Sequence, residues 1–340
     1  MRKIVLAAVL MAATVAACPL HAAAELLPLR IGLVATAESG PLYITAANGY
    51  FRDEGLDAQL KFFASDRLVR SAAAAGRIDI GMADLDASFF ADAAKHGLRS
   101  LASQASDQAG YPTDALLIGR KAGLRGVKDL PGKRIAMTSP ASGAHYSMVR
   151  IARRYGFDPA DLKLVWLRTP GQEIAALWRG EVDAVVLPYI TAVKLKDAHK
   201  GVAIIRISDL AQRQQGVVFA RAQTIESNRA LVEKFVRAYR RGVAEYDITF
   251  QQRGDEGDVL PGPHFDAYLA LIARHVKQPP DLLKSALSYC DHLARLDLTD
   301  IERQLVFWQS QGMVDKTVAA ADLLDLSFIG EHIRLPPEDN

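Results

Sequence analysis

The chain has few side-chain arrangements that could make or break covalent bonds. Its eight histidines are scattered, with no H-E-x-x-H or H-x-x-H pair to hold a metal on one helix face. No G-x-S-x-G turn presents a serine nucleophile, and no G-x-x-x-x-G-K-[ST] or G-x-G-x-x-G loop cradles a phosphate. Cys290 sits in a helix-like stretch beside Tyr289 and Asp291, a setting that suits packing better than nucleophilic attack. No catalytic residue, metal ligand or cofactor is therefore expected. The sequence does offer recognition chemistry. Ser39-Gly40-Pro41 and Ser142-Gly143-Ala144 read as helix starts, where unpaired N–H groups and the positive end of the helix dipole favour an anion. The hydroxyls of Ser39, Ser139 and Ser142 either cap those helices or reach a ligand. Asp84 and Asp86 would be poor neighbours for an anion. They either accept from a ligand amine or ring N–H, or cap the next helix. Tyr111 is a further candidate. Arg67 either pairs with a carboxylate or sulfonate or marks a solvated helix start.

These residues need elements to position them, and the hydropathy pattern supplies strands and helices in alternation. Leu29–Val34, Leu56–Phe62 and Ile78–Met82 read as strands, with helices over Leu42–Ala47 and from Ser65 to Ala75. The pattern restarts near residue 127. Arg134–Thr138, Leu164–Leu167 and Val182–Leu187 read as strands, with a helix opened at Ser142 and another over Gln172–Arg179. Ala75-Gly76-Arg77-Ile78-Asp79 echoes Arg179-Gly180-Glu181-Val182-Asp183, which suggests two similar α/β units of mostly parallel sheet. Asp79 and Asp183 are expected to be structural. The C-terminal third reads as helical. One helix after Asn228 has Leu231, Phe235, Tyr239, Val243 and Tyr246 on one face, and others span 264–276, 281–294 and 298–311. In open α/β sheets ligands bind beyond the carboxyl ends of the strands. That rule gathers the loops Ala35–Leu42, Ala83–Ser88 and Ser139–His145, and Pro188-Tyr189, at one mouth.

Residues 1–24 are set apart. Arg2 and Lys3, the apolar run Ile4–Ala17 and the Ala22-Ala23-Ala24 site have the form of a secretory signal peptide. Val15-Ala16-Ala17-Cys18 also fits a lipobox, so release into the periplasm competes with lipid anchoring through Cys18. Removing Arg2 and Lys3 takes the net charge from +2 to 0, which leaves no basic field for nucleic acid. Cys290 would then be the lone cysteine, and no intramolecular disulfide could form.

Four stretches resemble the nitrate/sulfonate/bicarbonate-type substrate-binding proteins of bacterial ABC importers, a group that includes taurine, alkanesulfonate, thiamine-precursor and aromatic-acid binders. They are Pro41-Leu42-Tyr43 through Gly49–Leu56; Ala75–Gly81; Asp129–Ile135 on to Ser142–Tyr146; and Leu177–Val185 with Pro188-Tyr189. The resemblance implies a type II periplasmic-binding fold of two lobes, each a mixed, mostly parallel sheet flanked by helices. Lobe one would take residues 25–113 plus 216–340, with a helical C-terminal extension, and lobe two would take 114–215. Crossing segments near Thr113–Leu117 and Gln215–Phe219 would form the hinge. It further implies a non-enzymatic, monomeric carrier that closes on a small molecule and delivers it to a membrane permease. His145 and Tyr189 match family positions near the ligand, and Gly143 and Ala144 match its helix start. The acids at 84 and 86 depart from the alkanesulfonate pattern, which leaves amphoteric and heteroaromatic ligands open. An enzyme of this fold acting on a pyrimidine or menaquinone precursor, or a sensor domain, are the alternatives.

Overall fold

The computed structural model describes residues 25–198, 202–254 and 259–334. The expected signal peptide and Cys18 lie outside the described residues. The first half contains β1 (Leu27–Val34), α1 (Gly40–Ala47), α2 (Tyr50–Asp53), β2 (Leu56–Phe63), α3 (Asp66–Ala74), β3 (Ile80–Asp84), α4 (Ala87–His96), β4 (Leu98–Asp107) and β5 (Asp114–Ile118). It continues through β6 (Arg134–Met137), α5 (Gly143–Arg154), β7 (Lys163–Trp166), α6 (Pro170–Arg179), β8 (Ala184–Pro188), α7 (Tyr189–Ala198) and β9 (Ala203–Arg206). The remainder holds β10 (Arg213–Arg221), α8 (Ala222–Ser227), α9 (Arg229–Phe250), α10 (Phe265–Val276), α11 (Pro280–Lys284) and α12 (Leu298–Ser310).

The strands form two five-stranded sheets, ordered β2-β1-β3-β10-β4 and β7-β6-β8-β5-β9. In each, three parallel strands are followed by one antiparallel strand, β10 against β3 and β5 against β8. Each sheet is thus a mixed, mostly parallel α/β sheet, as the alternating pattern predicts. The two halves repeat in detail. Arg30 donates from its backbone N and its guanidinium to Asp79 at 2.7–3.0 Å, and Arg134 does the same to Asp183 at 2.8–3.2 Å. Gly76 (φ 68) and Gly180 (φ 74) turn the chain in the left-handed region ahead of each of those acids. Asp79 and Asp183 therefore fasten their loops to β1 and β6, which hold equivalent places in the two sheets.

The core of the first sheet packs against α9, whose buried face carries Leu231, Phe235, Tyr239, Val243 and Tyr246, as its periodicity predicts. Two expectations need correction. The helix expected over 281–294 stops at Lys284. Beyond it the backbone is recruited elsewhere: Tyr289 O accepts from Ser106 N, and Cys290 N donates to Gln251 Oε1. The segments expected to cross at Thr113–Leu117 and Gln215–Phe219 lie, but for Thr113, inside β5 and β10. The chain changes sheet between Asp107 and Asp114 and again between Arg206 and Arg213.

The C-terminal helix α12 touches both sheets' helices. Its Asp300, 2% exposed, accepts from Gln214 N at 2.7 Å and from the Tyr146 hydroxyl at 2.8 Å. Arg150 of α5 reaches the same carboxylate at 3.2 Å.

Candidate functional site

Three parallel strands of the first sheet end at Val34, Phe63 and Asp84. Antiparallel β10 brings its first residues, Arg213–Gln215, to the same edge. A cavity of about 90 Å³ opens there, lined by Val34, Thr36, Glu38, Asp66, Met82, Asp84 and Gln104. It sits where the carboxyl-end rule places a ligand. Its lining is acidic: burial and the mutual repulsion of Asp66, Glu38 and Asp84 push the Asp84 carboxyl well above the usual range. Burial likewise pushes Asp66 up to about 6, although Arg70 and the Asp84 backbone N–H pull it down. Asp114, the first residue of β5 in the other sheet, feels Asp107 and Glu38 and is pushed up to about 7, chiefly by burial.

Two buried arginines face this cluster. Arg213, 4% exposed, lies 2.8 Å from Asp107 and 3.9 Å from Asp114. Arg70 pairs with Asp92 at 2.8 Å and stands 3.8 Å from Asp86. Gln104 is aimed by an irregular pairing of β4 with β10, in which Ala105 and Ser103 pair with Gly216 and Val217 while Gln104 is skipped. A side chain at Gly216 would approach the Gln104 Oε1 to 2.8 Å, so the glycine leaves that side chain its space.

The residues singled out from the sequence are distributed as follows. Asp84 lines the cavity. Asp86 caps α4, accepting from Phe89 N at 2.6 Å, the capping role the sequence left open. Ser39 is buried behind the cavity and accepts from Gln104 Nε2 at 3.2 Å. Gly40 and Pro41 are buried as well; a Cβ on Gly40 would meet the Tyr246 ring at 2.8 Å, so that helix start packs on α9. Ser142 caps α5 by accepting from His145 N, and its hydroxyl donates to Ser139 O. Ser139 Oγ accepts from Ala141 N. Gly143 lies under Arg213: a Cβ there would sit 2.4 Å from Nη1. Ala144 packs against the second lobe's core. His145 is boxed by Trp166, Phe307 and Trp308, with Nδ1 2.7 Å from Pro140 O, and burial lowers its pKa. Tyr111 donates to Gln251 O and receives Arg253 Nε, tied to the C-terminal segments. Tyr189 opens α7, its N bonded to Thr113 O. Arg67 is exposed. Among these residues, Asp84 alone lines the cavity.

Glu38, Asp66, Gln104, Asp114 and Arg213 escaped the sequence reading as site residues. Glu38 lies within the loop Ala35–Leu42 that the strand-end rule indicates, and Asp114 and Arg213 flank the two sheet crossings. Gln104 carries no local signal, because its aim depends on an irregular pairing with a strand more than a hundred residues away. Among the described residues no group of three metal-ligating side chains is assembled, and no helix is long and apolar enough to cross a membrane.

Residues 36–247 match the sequence pattern of the family described as NMT1/THI5 like. A search of curated proteins finds no match. The structure is similar to the periplasmic aliphatic sulphonate binding protein SsuA from Escherichia coli, with a TM-score of 0.66 at 19% identity, over 88% of this chain and 97% of that one. It is similar to the alkanesulfonate-binding protein SsuA from Xanthomonas axonopodis pv. citri bound to MOPS, with a TM-score of 0.64 at 20% identity, over 90% and 100% of the two chains. A sulfonate-binding protein from Methylobacillus flagellatus KT gives a TM-score of 0.67 at 17% identity, over 93% and 99%. At these identities the likeness is one of fold, and it is the two-lobed periplasmic-binding fold that the sequence implied. With the family pattern covering well over half of its length, this chain belongs to the NMT1/THI5-like family.

Proposed function

We propose that this protein is the extracytoplasmic solute-binding component of a bacterial ABC importer. It captures a small organic molecule between its lobes by hinge closure and delivers it unchanged to a permease. Sulfonates, aromatic carboxylates and pyrimidine-like molecules make up the ligand panel that the family resemblance implies. The lobes are residues 25–113 with 213–340, and 114–212, a division that keeps β10 whole. The protein works as a monomer outside the cytoplasm, free in the periplasm or held by a lipid on Cys18.

One observation carries the reading: polar groups from both sheets converge where their strands end. Asp84 from the first sheet, Asp114 from the second and Arg213 between them interact across the two crossings. A guest touching both sides would be bound more tightly by the closed arrangement than by an open one, which is what shifts a hinge equilibrium. The acidic lining disfavours a bare anion inside the cavity. It suits an amphoteric or heteroaromatic guest whose anionic part faces the start of α5. Cys290 supports a carrier over an enzyme: it is 1% exposed, and burial pushes its thiol pKa far up, away from the thiolate needed for attack.

A thermal-shift screen of sulfonates, aromatic carboxylates, pyrimidines and nitrate tests the reading, with mass spectrometry of the bound molecule. A bound solute raises Tm as RT ln(1 + [L]/Kd) and is recovered intact. Chemical conversion of the bound molecule would defeat the carrier reading.

A further inference from the structure

The acids around the first sheet's edge outnumber the bases near them. On their own elements stand Glu38, Asp66, Asp84 and Asp86; Asp92 on α4, Asp107 on β4 and Asp114 on β5 complete the set. Arg70 and Arg213 are the two cations facing them. Both are engaged with acids outside the cavity wall, Arg70 with Asp92 and Arg213 with Asp107. Among the described residues, no ion pair is formed by Glu38, Asp66 or Asp84, the three acids that line the cavity. Clustered carboxyls alone do not make a site, since they can rest protonated.

A second observation concerns acceptors of a different kind. Gln104 lines the same cavity, is 4% exposed, and its Oε1 has no donor, while its Nε2 is held by Ser39. Gln215, 5% exposed, leaves its own Oε1 without a donor while its Nε2 approaches Glu38 at 3.4 Å. A buried amide oxygen left without a donor is disfavoured unless something supplies one. The cavity therefore presents acceptors, carboxylate and amide, and its apolar contribution is limited to Val34 and Met82. What such a wall lacks is positive charge together with several N–H donors.

We propose that this cavity is the binding subsite for the protonated nitrogen head group of an organic cation, an ammonium or guanidinium bearing at least two N–H donors. This rests on the solute-binding reading and narrows its ligand. The head group donates to Asp84 and Asp66, Glu38 closes over it from the loop after β1, and Gln104 takes a further N–H. Ser39 is a positioning residue that holds Gln104. A fully methylated ammonium has the charge but no donors, so it would leave the amide oxygens unmet. Burial raises the pKa of Asp66 and Asp84, and a cation beside them favours their charged forms, so binding releases protons to solvent.

Isothermal titration calorimetry at pH 7 on the full chain tests this with N-methylguanidinium, n-butylammonium and tetramethylammonium. A parallel arm uses methanesulfonate, benzoate and uracil. The two N–H-bearing cations bind, tetramethylammonium binds at least about tenfold more weakly, and the heat varies with the ionisation enthalpy of the buffer. Asp84→Asn lowers the cation affinity by about tenfold or more yet raises the ligand-free Tm, so lost binding is separable from lost folding. Gln104→Leu weakens the cations in the same direction. Equal binding of tetramethylammonium, or an Asp84→Asn protein with unchanged affinity, overturns the proposal. Inert cations alongside a binding member of the second arm overturn it while leaving the solute-binding reading intact. If neither arm binds, both fail.

Discussion

Glu173 sits in the first turn of α6 with no exposure and neither carboxyl oxygen partnered. Burial pushes its pKa up to about 7 from 4.5. A raised folded-state pKa means that the protonated acid is tolerated below about pH 4.5 and that stability is lost as pH rises towards 7. Glu173→Gln should therefore stabilise the protein on the order of 3 kcal/mol at pH 8 and change little at pH 4, measured by urea denaturation at both pH values. An equal effect at the two pH values would show that the carboxyl is not the cause. Cys290 makes the complementary case. Its thiol is enclosed and its pKa raised by burial, so an aromatic disulfide reagent should label it only as fast as the protein unfolds. Stoichiometric labelling of the native protein within seconds would contradict that. At this scale the sequence was legible where a role is local. Asp86 and Ser142 stand just before their helices, and a capping bond reaches only three residues on. It was not legible for Glu173: Ala176 and Leu177, three and four residues on, mark its helix face as inward, but an acid on the edge of that face reads as solvated.

The elements show the same division. β1, β6 and β7 were readable as short apolar runs, β2 as an alternation of apolar and polar residues, and α9 as an apolar stripe of period 3.6. β10 was not. Its opening Arg213-Gln214-Gln215 is polar yet buried, and it is made acceptable by Asp107, Ser103, Ala105 and Asp300, all distant in sequence. The end of α11 at Lys284 was hidden for a similar reason, since Ser106 and Gln251 compete for the backbone beyond it. α12 is the element through which the C-terminal part holds the two sheets together. Asp300 accepts from Gln214 on one side and from Tyr146 and Arg150 on the other. Asp300→Ala strands buried donors and should cost about 3–5 kcal/mol by chemical denaturation. Asp79→Ala breaks a pair whose arginine is 39% exposed, so its cost should be nearer 1 kcal/mol. Comparable losses for the two variants would show that α12 is not the special tie inferred here.

At the scale of the molecule, two sheets of the same strand order, each with one antiparallel strand contributed across a crossing, place their polar edges towards one another. The repeated Arg30–Asp79 and Arg134–Asp183 fastenings mark the halves as copies of one design. That repetition was visible in the sequence as the echo of Gly76-Arg77-Ile78-Asp79 in Gly180-Glu181-Val182-Asp183. The pairing order was not, because it is set by strands that leave one sheet and enter the other. The copies differ in what the strand ends carry: acids gather on the first sheet, whereas α5 begins against Arg213 on the second. A molecule built in this way should respond to its guest as a whole, with the two sheets moving as bodies about residues 108–113 and 207–212. Small-angle X-ray scattering of the pure protein, with and without a saturating solute identified by thermal shift, measures that response directly. The radius of gyration should fall on saturation, with the solute recovered chemically unchanged. A scattering profile identical with and without bound solute would contradict closure of the two lobes around it.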